Sequence, residues 1–550
     1  MKKLIALLLA VACVLGLVAC GGGSGSGSSN KGGADAENVT LTIGLPLDAN
    51  VQDLKNNALT KYLEEQTGYN LEFQVYASGS DIAANITTAT LAGEKLPDIL
   101  FGMELSSASI KQFGENEDFV DLQEYFADKE GASKIWWDRL TEGSLSEYEQ
   151  GEIVRKMTDI ETGAIYAVPS IEVSPIDVLQ YQVWINQTWL DKLSLKAPTN
   201  INELYDVLVA FKNNDCNGNG AKNDELPLMG AMSGTRGSYV VDWIINQYMY
   251  YDHNQQYSLE NGKVVSYYTQ DSYREALKFV NKLYSEGLLN DTAFTNNNGS
   301  MGAVTTPQNG VAKCGIFVGH LTLHTTPGNM LLQEYVPLTP MQGQTCVYGP
   351  NTNSRNCIIT SGCENVDAAF NLLMQMRTEE ASLRIRYGEF GVNWEWAEEG
   401  EVSDMGYPAK IRILDDPFGK PNTCFWVSAT GSFTVHAEGE SAVYAQSKSE
   451  WEKLRSKMHA ESAANYAAAA EKNNPKEILP TLIYTDAEKD AMEFIWAEVS
   501  DIITTYTNDF MKNKKNPNDD AMWNKFQAEL EKAGLNEQVA LAQKAYDRQK

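Results

Sequence analysis

Leu71-Glu72-Phe73-Gln74-Val75, then residues 82–93, then Asp98-Ile99-Leu100-Phe101, is the stretch that decides the fold. The first piece reads as a strand, the second as a helix and the third as a buried strand. A β-α-β order of this kind favours a parallel sheet with helices on its faces. Upstream, Val39-Thr40-Leu41-Thr42-Ile43 reads as the strand that opens the folded body. Downstream, Asn200 with Glu203 makes a capping box, and Leu204, Val207, Leu208 and Phe211 follow at helical spacing. Ser272 with Glu275 makes a second box, with Leu277, Val280, Leu283 and Tyr284 behind it and Gly287 as the stop. Residues 366–386 form a further predicted helix, and the last 110 residues are strongly helical, closing with Trp523, Phe526 and Leu530. No repeat at a solenoid period is present.

The chain has 550 residues, enough for two large domains or three to four small ones. Hydrophobic residues make up 43% and charged residues 21%, which excludes global disorder. The net charge is −29, which argues against nucleic acid and against adhesion to an anionic membrane by charge. The only long apolar run lies at the N-terminus. Lys2 and Lys3 precede an apolar stretch over 4–19 that ends Leu17-Val18-Ala19-Cys20. This has the plan of a secretory signal, residues 1–19, and a Cys directly after a small residue resembles a bacterial lipobox. Cys20 is therefore the expected lipidation site, holding the protein to a membrane by acyl chains alone. Residues 20–38 are a Gly/Ser-rich tether that lets the body stand off the bilayer.

Removal of Cys13 with the signal and lipidation of Cys20 leave Cys216, Cys314, Cys346, Cys357, Cys363 and Cys424, whose pairing the spacings leave open. No CxxC and no HExxH occurs, so no zinc site is expected. GxSxG, the P-loop and a Rossmann fingerprint are also missing, and His320 and His324 lack a third ligand. One segment does carry metal chemistry. From Asp215 the chain reads Asp-Cys-Asn-Gly-Asn-Gly-Ala-Lys-Asn-Asp-Glu. Asp215, Asn217 and Asn219 put oxygens at positions 1, 3 and 5 of an EF-hand loop, Gly220 permits the turn at 6, and the Ala221 carbonyl falls at 7. Position 12 is Leu226, so Asp224 or Glu225 must close the shell, with Asn223 at position 9. The expected cofactor is one structural calcium ion.

Several segments resemble bacterial extracellular solute-binding proteins of the large lipoprotein branch. They are Tyr181 to Leu193 with Ala197-Pro198-Thr199-Asn200-Ile201-Asn202-Glu203-Leu204, Leu96-Pro97-Asp98-Ile99, Gly163 to Pro169, Leu283 to Leu288, and Tyr387 to Trp394. Their order over roughly residues 39–550 carries the resemblance. It implies an α/β fold of two lobes of the periplasmic-binding type (type II), joined by a hinge with ligand between them. It also implies delivery of ligand, often oligosaccharide, to an ABC permease by a monomer. The expected first lobe is 39–170 with about 312–390, and the second is 171–311 with about 391–550. Alginate-oligosaccharide-binding members have a similar Asn-Gly-Asn-Gly loop that holds calcium.

Sugar faces pack on flat rings while their hydroxyls need polar partners. The expected ligand contacts are Trp394 and Trp396 with Tyr387 and Glu389, Trp243, Tyr181 with Trp184, and the loop acids Asp48 and Glu104. Trp394 is the expected stacking platform. A surface glycoside hydrolase and a non-transport sensor or adhesin are the alternative readings.

Overall fold

The computed structural model describes residues 39–77, 82–142, 145–172, 179–221, 224–232, 238–305, 310–325, 328–341, 351–427, 433–434, 441–444 and 449–550. In chain order the strands are β1 (Thr40–Pro46), β2 (Asn70–Tyr76), β3 (Ile99–Glu104), β4 (Val168–Glu172), β5 (Val183–Asn186), β6 (Leu226–Met229), β7 (Tyr257–Glu260) and β8 (Lys263–Ser266). They continue with β9 (Cys314–Val318), β10 (Tyr335–Pro337), β11 (Asn351–Ile359), β12 (Trp394–Trp396), β13 (Ile411–Ile413), β14 (Phe433–Thr434) and β15 (Ala442–Tyr444).

Two sheets organise two lobes. The first has the order β14-β4-β11-β3-β1-β2 and the second β10-β5-β9-β6. The β-α-β unit read from the sequence is present, with β1 seated between its two strands and parallel to both. The return strand β11 runs antiparallel to β3 and β4. Leu41, Ile43, Ile99, Phe101, Cys357 and Ile359 bury one face of the first sheet against the helices Ala58–Thr67 and Val366–Gln375. Each such side chain contributes about 1.5–3 kcal/mol on burial. In the second lobe, Val183, Ile185, Leu228, Ile316 and Val318 pack against the helices Ile201–Asn213 and Asp271–Ser285. The long helix Asp486–Met511 joins that core through Ile495, Val499, Ile503, Tyr506 and Phe510, which repeat along one face.

The structure corrects the expected lobe boundaries. β9 and β10 belong to the second sheet, so the chain returns to the first lobe between Pro337 and Asn351 rather than near residue 312. It also stays there past residue 391. β14 pairs with β4, and Trp426 lies in the first core. Three local expectations change as well. The helix read over 366–386 is two helices, Val366–Gln375 and Glu379–Tyr387, because Thr378 caps a new start by accepting the Ala381 N–H. Ser272 and Glu275 form no capping box, since the helix begins at Asp271 behind Gln270 and Glu275 pairs with Lys278. Asn200 does cap its helix, but Glu203 reaches back to Thr199 instead. Gly287 ends its helix as read, at φ 61° with its N–H donated to the Tyr284 carbonyl.

Candidate functional site

In open α/β sheets the carboxyl ends of the parallel strands form the binding face. β1 and β3 bring Asp48 and Glu104 to that end of the first lobe. Asp48 is half-buried and accepts the Asn50 N–H at 2.9 Å, while Glu104 is exposed. The second lobe contributes a packed polar group. His253 Nδ1 hydrogen-bonds the Asp242 carboxylate, and its ring stacks on Tyr239 with centroids 4.0 Å apart and planes 14° off parallel. Burial pulls the His253 imidazole down, but Asp242 more than offsets it, leaving the group above the ordinary histidine value.

Among the described residues the lobes meet at two junctions. At one, Asp252 accepts from Gln180 at 2.9 Å, and its charge acts on Tyr148 and Lys156 of the first-lobe helix Glu147–Met157. The buried Glu152 of that helix accepts the Thr481 N–H of the second lobe at 3.3 Å. At the other, Tyr444 of β15 feels Asp416 and Arg386 of the first lobe together with Glu452 and Arg455 of the helix Glu450–Asn473. Burial raises both phenols, yet Tyr148 is 47% exposed and Tyr444 37%. A ring that is partly desolvated and still open on one side suits the wall of a groove.

The structure corrects the expected platform. Trp394 is 0% exposed, packs among Leu383, Ile411 and Ile413, and donates its indole N–H to the Gly388 carbonyl at 2.9 Å. An enclosed ring has no face to offer a ligand. Trp243, Tyr181 and Trp184 are likewise core residues of the second lobe, with the Trp184 indole N–H donated to the Gly319 carbonyl at 2.7 Å. Trp396 remains accessible at 42%, edge-on to Trp394 at 5.2 Å. Tyr387 lies half-buried under the Arg386 guanidinium, and the backbone N–H of the half-buried Glu389 binds Asn393 Oδ1. The segment nevertheless leads to the interlobe junction. β12, β13 and β15 form one small sheet, and Tyr444 pairs with Ile413, which pairs with Trp394.

The loop from Asp215 folds on itself. Asp215 accepts the N–H groups of Gly218 and Gly220 at 2.8 and 3.1 Å, and both glycines sit at positive φ, 74° and 83°. Asn217 and Asn219 accept the N–H groups of Asn219 and Ala221, and Asn219 donates to Asp224 at 2.7 Å. Glu225 is 5% exposed and takes the Cys216 N–H on one oxygen. Its other oxygen, Oε2, and Asp224 Oδ1 are buried without a hydrogen-bond partner. Two orphaned carboxylate oxygens beside a turn of amide oxygens fit a hard cation. No cluster of three or more His, Cys, Asp or Glu at metal-holding distances occurs among the described residues. Asn223 and Cys20 lie outside the described residues, as does Cys346. Cys216, Cys314, Cys357, Cys363 and Cys424 are buried free thiols. His324 is buried, accepts the His320 N–H at 2.7 Å and titrates at about 4 because burial disfavours its charge, so it is a structural residue.

No family model matches the chain. The fructooligosaccharide ABC-transporter substrate-binding protein FusA of Streptococcus pneumoniae is 23% identical over 538 residues, covering 92% of this chain and 89% of FusA. The chain is a homologue of ABC-transporter solute-binding proteins. The FusA EF-hand mutant in complex with fructo-nystose superimposes with a TM-score of 0.64 at 20% identity, covering 93% of this chain and 99% of that one. The HMO-binding, ABC-transporter-associated solute-binding protein of Bifidobacterium longum infantis superimposes with a TM-score of 0.71 at 22% identity, with coverage of 93% and 99%. The lipoprotein LipO of Bacillus subtilis is 34% identical over 119 residues, 21% of this chain and 22% of LipO.

The interlobe junctions bring together Tyr148, Lys156 and Tyr444, and the second lobe pairs Tyr239 with His253; sequence reasoning singled out none of them. Tyr148 sits in Ser-Glu-Tyr-Glu-Gln-Gly-Glu, which reads as a solvated helix face. Nothing local marks Tyr444 either, since Arg386 and Asp416 reach it from well back in the chain, and His253 meets Tyr239 and Asp242 from just upstream at spacings that follow no helix or strand period. No helix among the described residues is long and apolar enough to cross a membrane.

Proposed function

We propose that the chain captures an oligosaccharide between its two lobes and hands it to the transmembrane subunits of an ABC permease. The observation that carries this reading is the end-to-end likeness to a substrate-binding protein for fructooligosaccharide. The interlobe chemistry agrees with it. Tyr148, Tyr444 and the Tyr239–His253 stack supply rings, while Asp252, Gln180 and Arg386 supply partners for hydroxyls. A ligand touching both lobes favours their closure, and the closed form is the one a permease would recognise. Binding, not catalysis, is the proposed activity, in line with the relatives. A glycan panel tested by calorimetry checks the reading. Fructooligosaccharides and other neutral oligosaccharides come first, and failure of every glycan to bind with the expected compaction in scattering rejects it.

Two further parts belong to the proposal. Asp215, Asn217, Asn219, the Ala221 carbonyl, Asn223, Asp224 and Glu225 would hold calcium, which when bound would pair the orphaned carboxylate oxygens and stiffen the loop after the helix Ile201–Asn213. Cys20 would carry the lipid that keeps the protein on the extracytoplasmic face of the membrane. Cys20→Ser should release the body from the membrane fraction or leave an unprocessed precursor. Processing and retention as in wild type would reject the anchor.

A further inference from the structure

Between the helices Glu450–Asn473 and Asp486–Met511 the chain runs without helix or strand, and residues 478–484 make no backbone–backbone hydrogen bond among the described residues. Backbone N–H and carbonyl groups must find partners somewhere, and holding a segment in place without a ladder costs conformational entropy. Here the partners are side chains. Thr481 spends its N–H on the first lobe, donating to Glu152 at 3.3 Å.

The groups beside it are held by the end of the terminal helix Leu535–Arg548. Gln549 Oε1 accepts the Ile483 N–H at 2.7 Å, and its Nε2 donates to the Thr481 carbonyl at 2.9 Å. One side-chain amide thus pairs with the segment much as a neighbouring strand would. Arg548 donates to the Ile483 carbonyl at 2.9 Å, and the same guanidinium binds Glu488 at 2.8 Å in the first turn of the next helix. Gln543 of the terminal helix holds the β7–β8 hairpin in the same way, accepting the Val264 N–H at 2.8 Å and donating to the Gly262 carbonyl at 3.3 Å.

The segment so held is the one on which the second lobe meets the first. Thr481 reaches Glu152, and Asp486, three residues beyond Ile483, reaches Lys111 at 2.9 Å. In these bonds Gln549 and Arg548 touch only the second lobe, yet both interlobe contacts hang from the piece they hold. We propose that the C-terminal turn is a strap on the interlobe contact: Gln549 and Arg548 position residues 481–483, and through them restrain the angle between the lobes in the unliganded chain. Where ligand capture between the lobes holds, the strap sets the angle from which closure starts; that consequence alone rests on the proposed function.

The test uses the full chain and Gln549→Met, which keeps the length of the side chain and removes both hydrogen bonds. Lys550→Met, in the same turn and paired with Asp547, is the control. Without ligand, Gln549→Met should raise the radius of gyration in solution scattering, and Lys550→Met should not. Hydrogen exchange should quicken by about fivefold in the first-lobe helix Glu147–Met157, across the interface from the change, and stay as in wild type in β9. A radius of gyration or an exchange rate in that helix equal to wild type overturns the proposal. Equal acceleration in β9 also overturns it, because the variant would then have loosened the chain as a whole. Failure of every glycan to bind would reject the capture reading and leave these two ligand-free readouts as they stand.

Discussion

The Nζ of Lys111 lies 2.9 Å from a carboxylate oxygen of Asp486, an ion pair that joins the first-lobe helix Ser107–Glu115 to the first turn of the second-lobe helix Asp486–Met511. Asp159 and Glu161 of the first lobe hold the same ammonium. Burial alone would lower the Lys111 value, and the three carboxylates reverse that and raise it. The pair therefore spans the two bodies that the proposed closure would move. Lys111→Met should widen the unliganded protein in solution scattering. It should also weaken ligand binding by about fivefold, for a contact contributing about 1 kcal/mol. A scattering curve identical to wild type would mean that the pair does not restrain the lobes.

On the proposed reading, Tyr148 and Tyr444 take the platform role expected of Trp394. Alanine at either tyrosine should lower oligosaccharide affinity by about tenfold, from loss of roughly 1–2 kcal/mol of ring contact, with the melting temperature little changed. Trp394→Ala should behave the other way. It empties a core position and should cost about 3–5 kcal/mol of stability. Calorimetry paired with thermal unfolding on the three variants separates the roles.

The loop at 215–225 gives a metal prediction. Chelator should lower the wild-type melting temperature, because an ion bound only to the folded state adds stability by linkage. Asp215→Ala removes the acceptor of the Gly218 and Gly220 N–H groups and should unfold at about the chelated wild-type temperature, with no response to chelator. Elemental analysis of the purified protein should find one calcium per chain. Finding none after soaking would reject the site.

Glu488 sets an acid limit. Its carboxylate, 3% exposed on the side chain, is paired with Arg548 and Lys544 and caps its helix with Thr485. The Arg548 guanidinium is the largest influence and holds the group down at about 2. A depressed carboxyl contributes stability above its unfolded value near 4.5, and the contribution is lost as pH falls from there through about 2. Glu488→Gln should cost about 3 kcal/mol at neutral pH, by leaving Arg548 without its partner. Urea unfolding of wild type and variant should therefore converge as pH drops from about 5 toward 2. Parallel curves across that range would show that another group governs acid sensitivity.

The class of fold and several of its parts are legible along the chain. These parts are the first strands and the helix between β2 and β3, the cap at Asn200 and the stop at Gly287, and the turn geometry of the loop at Asp215. These are local matters. Side-chain alternation, a capping oxygen, and a glycine free to take positive φ act within a few residues, so they can be read in order along the chain. Where the lobes divide and which rings stay exposed at their junctions depend on long-range packing. β9 sits in the second sheet because β5 and β6 pair with it. Trp394 is enclosed because Leu383 and β13 close over it, while Tyr444 stands open because β15 ends at the junction with Arg455. Burial of a ring is set by whatever packs on it, and here those partners come from other strands and the opposite lobe, beyond the reach of any local pattern.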